Sequence, residues 1–163
     1  MMTSPPPSER RERTRKEIKQ LIEDRSAVLA QYYNLAKLTQ DFNKDVSGTL
    51  DLVEEFCQNM VDYMAAGHFE IYRRIEEGNE RRDEILKLAE EIMPRINVTT
   101  QVAVAFNDMF DSSSTISEET IEKLPNHLSK LGEELATRID LEDKFINLLL
   151  TAGTRPKLTT VSA

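Results

Sequence analysis

Between Val53 and Ile75 the chain carries apolar residues at a helical period, but on two sides of the helix rather than one, and this limits the possible folds more than any other segment. At about 100° per residue, Val53, Phe56, Cys57, Met60, Met64, Gly67, Ile71 and Ile75 gather on one side, as a helix packed against a core requires. Glu55, Gln58, Asp62, Ala65, Ala66, Phe69 and Arg73 lie opposite. Small residues occupy the middle of that second face, with a large aromatic near a carboxylate. A chain that turns such a residue outward either covers it with another of its own segments or offers it to a partner.

The same three-to-four spacing recurs elsewhere and predicts an all-α protein, in the form of an antiparallel up-and-down four-helix bundle. Glycine numbers only 5 and proline 6 among 163 residues, enough to punctuate a few long helices and no more. The Pro-rich head and following residues, 1–12, read as a disordered arm; residues 13–153 read as the bundle domain and 154–163 as a flexible tail. The first helix runs from near Arg13 to Leu38 on a stripe of Ile18, Leu21, Ile22, Val28, Leu29, Tyr32 and Leu35. A loop from Asp41 leads to Thr49 as N-cap of a second helix, Leu50 to Ile75. Gly78-Asn79 marks a turn, with Asn79 capping a third helix from Glu80 to Phe110 that Pro94 should kink or break. Ser117 ahead of Glu118 and Glu119 opens a short helix, and Pro125 separates it from a last long helix ending near Ala152.

Composition narrows the class of function. Lys and Arg number 21 against 29 for Asp and Glu, a net charge of −8, so a basic protein surface is a better partner than nucleic acid. No apolar run approaches the ~20 residues of a membrane span, and the first residues lack the apolar centre of a signal peptide, which points to the cytoplasm. The single cysteine, Cys57, falls on the core stripe and reads as a small buried hydrophobe.

Two polar residues share the core phase: Glu142 between Ile139 and Ile146, and His68 beside Met64 and Ile71. Buried, they need partners, and a buried polar network of His68, Glu142, Tyr72 and Arg138 is expected. Metal-binding helical bundles of the carboxylate type use Glu-x-x-His on two helices, which this chain lacks, so neither a metal nor another cofactor is called for. Catalysis lacks a base beside an accessible nucleophile. Gly67 and Gly132 are isolated within helices and read as points of close helix approach rather than phosphate loops. An enzyme or metal-binding bundle working through its polar interior, or a scaffold that self-associates through Phe69, remain the alternatives to a partner-binding protein.

Tyr32-Tyr33-Asn34-Leu35, Phe56-Cys57-Gln58, Val61-Asp62-Tyr63, Ala66-Gly67-His68-Phe69 with Ile71-Tyr72, and Leu141-Glu142-Asp143-Lys144 resemble the Rsd/AlgQ family of proteobacterial anti-sigma regulators, while Pro94-Arg95-Ile96 and Ala105-Phe106-Asn107-Asp108 resemble its AlgQ branch. The resemblance implies a non-enzymatic helical protein that binds, one to one, the C-terminal region of the primary sigma factor, the basic module that reads the promoter −35 element. Occupying it would sequester sigma from core RNA polymerase and favour alternative sigma factors in stationary phase. Family members also bind other regulatory proteins. Carried over by motif, the contact residues fall on Asp62, Ala65 and Phe69. The chain departs from the family at Ala65, where serine is frequent, and at Lys19-Gln20-Leu21, which replaces an Asp-Arg-Trp in the first helix.

Overall fold

The computed structural model describes residues 7–40, 46–76, 78, 80–110 and 116–152. Their secondary structure is helical: α1 (Pro7–Thr39), α2 (Val46–Gly67), a π-helical turn (His68–Tyr72), α3 (Arg73–Glu76), α4 (Asp83–Met109), α5 (Glu118–Glu122) and α6 (Leu124–Ala152). Among the described residues there is no β-strand. α1 packs on α2 and α6, and α4 packs on α6 and α2, so each long segment touches two others. Between them lies the core, where Val53, Phe56, Met60, Ile85, Ile96, Ala103, Leu131 and Phe145 are all buried.

The first two long helices start earlier than the sequence suggested, and α4 starts later. α1 begins at Pro7, so residues 7–12, assigned to a disordered arm, lie in the helix. Proline tolerates the first helical turn, and no breaker separates it from Arg13. α2 likewise begins at Val46, which places Thr49 inside the helix and buried rather than at its N-cap. The N-cap position of α4 is Arg82, whose backbone N–H donates to Glu80 Oε1 at 3.1 Å, and Asn79, expected as the cap, lies outside the described residues. Gly78 supplies the turn expected there, with φ of 73° and its N–H bonded to the Ile75 carbonyl. The expected break at Pro94 is absent, since α4 runs through it. Pro94 faces solvent, where water can satisfy the carbonyl that loses its helical donor. Ser117 caps α5 by accepting from the Thr120 N–H, and α6 follows with Pro125 in its first turn. The expected tail, 154–163, lies outside the described residues, as do residues 1–6 of the arm.

Ile22, placed on the first apolar stripe, is 38% exposed. Arg25, three residues on, turns inward instead. Ties between helices are polar as well as apolar. Arg95 of α4 grips Glu134 of α6 with both Nη atoms, at 2.7 and 3.1 Å, and Asn59 of α2 donates to Gln31 of α1 at 2.9 Å. The closest approach is at Gly132, where Tyr32 of α1 crosses α6 and donates to the Leu128 carbonyl at 3.0 Å. A Cβ built on Gly132 would meet the Tyr32 hydroxyl at 2.0 Å. Gly132→Ala should therefore lower stability by roughly 1–3 kcal/mol, although helix propensity alone favours alanine by about 1 kcal/mol. Denaturant melts read the sign, and a stabilised variant would mean that Tyr32 does not lie on α6.

Candidate functional site: an outward helix face beside a buried carboxylate

The two faces of the second helix separate as their phase requires. Val53, Phe56, Cys57, Met60, Met64 and Ile71 are buried, whereas Glu55, Gln58, Asp62 and Arg73 are exposed and Ala65 and Ala66 half-buried. Phe69 is 61% exposed. Asp62 accepts from Gln58 Nε2 at 3.1 Å, an i,i+4 bond that holds the carboxylate on the outward face. All seven residues read from the sequence as the outer face thus lie on the solvent side or at its edge.

Phe69 points outward as its phase requires, and it lies in the π-helical turn from which Tyr72 goes inward. The Arg73 N–H reaches back five residues to the His68 carbonyl, so one extra residue is accommodated in that turn. Continuous α-helical arithmetic carries His68 into the core beside Met64 and Ile71; the extra residue rotates the turn and leaves His68 half-buried, its ring 5.3 Å from that of Phe69. His68, expected to be buried, is thus only half-buried. Gly67, at the entry to the turn, would carry a Cβ only 3.2 Å from Leu21 Cδ1, so its bare backbone lets α1 come close.

The network itself centres on Glu142, whose residue exposure is 0%. Its Oε1 accepts a short hydrogen bond from the Tyr63 hydroxyl. Oε2 accepts from Arg138 Nε at 3.2 Å, and Arg25 Nη1 of α1 approaches Oε1 at 3.5 Å. Arg138 then extends to α4, donating from Nη1 to Thr99 Oγ1 at 3.0 Å and Thr100 Oγ1 at 2.7 Å. Arg25 also bonds Asp143 at 2.5 Å, a carboxylate half open to solvent. Tyr72 packs on Phe145, and the Glu142 carboxylate lies close enough to raise its phenol. Glu142, Tyr72 and Arg138 were legible in the sequence; Tyr63, Arg25, Thr99 and Thr100 were missed. Helical phase could have found Tyr63, three residues after Met60, and Arg25, four after Leu21 and three before Val28.

Burial, followed by the neighbouring Glu142 carboxylate, pushes the phenols of Tyr63 and Tyr72 far above the ordinary tyrosine value. Both therefore stay protonated and able to donate. The arrangement satisfies a buried charge from several helices and leaves no accessible nucleophile beside a base. Among the described residues no three His, Cys, Asp or Glu side chains come together as a metal-ligand set, and no helix is long and apolar enough to cross a membrane.

Such a molecule is an all-helical protein with a closed polar interior and an open apolar and acidic helix face. The family model described as "Regulator of RNA polymerase sigma(70) subunit, Rsd/AlgQ" matches residues 3–150. Proteins named Regulator of sigma D from Shigella dysenteriae serotype 1 (strain Sd197) and Escherichia coli O139:H28 are each 34% identical over 131 residues, covering 79% of this chain and 80% of theirs. No solved structure matches the chain. The chain belongs to the Rsd/AlgQ family of regulators of the RNA polymerase sigma(70) subunit.

Two outcomes follow from the network. Arg138→Met leaves Glu142 short of its nearest cation and should cost about 3–5 kcal/mol, while Arg138→Met with Glu142→Leu should recover much of that loss; chemical denaturation of the two variants makes the comparison. Of the 4 tyrosines, Tyr63 and Tyr72 should not ionise in the native state when the phenols are titrated by ultraviolet absorbance. Because their folded values are raised, the stability they contribute is complete below the ordinary value of 10.0 and is lost as pH rises above it.

Proposed function

We propose that this protein is a non-enzymatic anti-sigma factor that binds the C-terminal, −35-reading region of the primary sigma factor one to one, through the outer face of α2 and the π-helical turn. Its helices would form an antiparallel up-and-down four-helix bundle, a reading supported by the contacts of α1 with α2 and α6 and of α4 with α2 and α6. Occupying that region of sigma withholds it from core RNA polymerase and from promoter DNA by steric exclusion, and the protein acts in the cytoplasm without touching DNA itself.

The observation that carries this reading is Phe69, a large aromatic 61% exposed on the face opposite the core, with Asp62 two helical turns before it. Family membership and the relatives' name, Regulator of sigma D, support the choice of partner. A net charge of −8 suits a basic module, and an aromatic anchor flanked by small residues gives it a shallow seat. Ala65 offers that seat room but no hydrogen bond. Other regulatory proteins could use the same acidic surface without altering this mode of binding.

Phe69→Ala should weaken sigma binding by about 2 kcal/mol or more, roughly thirtyfold, with helicity unchanged. Met64→Ala, on the buried side of the same helix, should instead cost about 2–5 kcal/mol of stability. Calorimetry with the purified sigma region, alongside thermal melts, distinguishes them; a Phe69 variant that binds like the parent removes the assignment.

Asp62→Lys should also reduce binding and relieve inhibition of a −35-dependent promoter, and the parent complex should weaken as salt rises. Surface plasmon resonance at two salt concentrations reads both effects. Equal binding by the lysine variant would reduce Asp62 to a solvated helix residue.

A further inference from the structure

Beside the outward face, α2 and the π-helical turn stand apart from α4 around a half-open cavity of about 350 Å3. Its inner walls are apolar, with Met64 and Ala103 buried and Met93 partly buried, and its outer edge is formed by Ala65, Phe69 and Val104. The inner end is different. Arg138, only 1% exposed, lines it together with Thr100.

Two guanidinium groups and two carboxylates meet at that end. Glu142, the carboxylate nearest Arg138, is shared with Arg25 at 3.5 Å, and the other carboxylate on Arg25, Asp143, is half open to water. Arg138 thus pairs with Glu142, which it shares with Arg25, while Arg25 also holds Asp143. Arg138 bonds Glu142 through Nε, and Thr99, Thr100 and the Ile96 carbonyl through Nη1. A cavity of this size, mainly apolar but also lined by His68, Tyr72 and Asn97 and carrying a guanidinium at its inner end, has the complementarity of a small ligand site: the apolar walls supply affinity and the guanidinium fixes the head group.

We propose that this cavity binds a small amphipathic monocarboxylate, its carboxylate on Arg138 and its hydrocarbon chain between α2 and α4. Ala65 and Phe69 line the cavity and also belong to the surface proposed to meet sigma. A bound carboxylate would therefore compete with the protein partner; this regulatory part rests on the proposed function, whereas the ligand site does not.

Decanoate and decan-1-ol, each below its aggregation limit, are the probes, and methyl NMR of Met64, Met93 and Val104 reads their binding to the intact protein. Decanoate should shift these signals saturably, with decan-1-ol at least tenfold weaker. Arg138→Lys should weaken decanoate at least tenfold if it folds. Val104→Phe, at the outer edge and clear of the polar network, should block both probes while melting like the parent. Absence of saturable shifts, equal binding of acid and alcohol, or undiminished binding by a folded Val104→Phe variant would each overturn the site. In a parallel arm the parent is loaded with the sigma region and decanoate is added. Displacement supports the competition, and a complex indifferent to saturating decanoate overturns it. If sigma does not bind at all, the proposed function and the competition fall together, while the methyl shifts still decide the ligand site.

Discussion

The buried carboxylate of Glu142 is the interaction on which the arrangement of the helices depends. Leaving a carboxylate wholly out of water costs several kcal/mol unless charges and hydrogen bonds meet it, and here they come from every long segment. Arg25 comes from α1, Tyr63 from α2 and Arg138 from α6 itself, with Tyr72 of the π-helical turn close by and α4 joined through Thr99 and Thr100. Apolar contacts alone tolerate a helix sliding by a residue or a small rotation, since leucine and isoleucine exchange neighbours at little cost. A carboxylate that needs donors from several helices at once is satisfied in only one register. The surrounding hydrophobic core supplies stability, and the network selects which packing receives it.

That division explains what could be read from the sequence. Period alone placed Glu142 in the core with Arg138 one turn before it on the same helix, because residues on one stripe of one helix are fixed by local geometry, and it put Tyr72 near the core side of the second helix. It also separated Phe69 from Met64. Partners across helices depend on which helices meet and how deeply, and Arg25 and Thr99 gave no sign of this beyond sharing a phase with apolar neighbours. His68 failed for a more specific reason. Its burial assumed 3.6 residues per turn through Gly67, and the π-helical turn inserts one residue just there. Helix ends failed because Pro7 and Gly48, residues usually read as breakers, sit in first turns where their cost is small.

The same π-helical turn joins interior to surface. Phe69 and Tyr72 lie within one π-helical turn: Tyr72 is buried beside Glu142, and Phe69, on the outward phase, is exposed. An exposed aromatic on a loop would lose conformational freedom on binding, whereas on a packed helix it is largely pre-positioned, which lowers the ordering cost of association.

Arg138 stands at the other end of this connection. It pairs with Glu142, reaches both threonines of α4 and lines the cavity behind Phe69. Anything that draws its guanidinium toward the cavity competes with Thr99, Thr100 and Glu142 for the same N–H groups, so its effect is felt where α4 meets α6 as well as on the outer face. Coupling of this kind is reciprocal. A partner that presses on Phe69 and narrows the cavity acts on Arg138 from the outside, just as a change in the network acts on the cavity from within. Under the proposed ligand site, the buried charge that selects the register would also link the outer face to the interior, since Phe69 and Arg138 line one cavity.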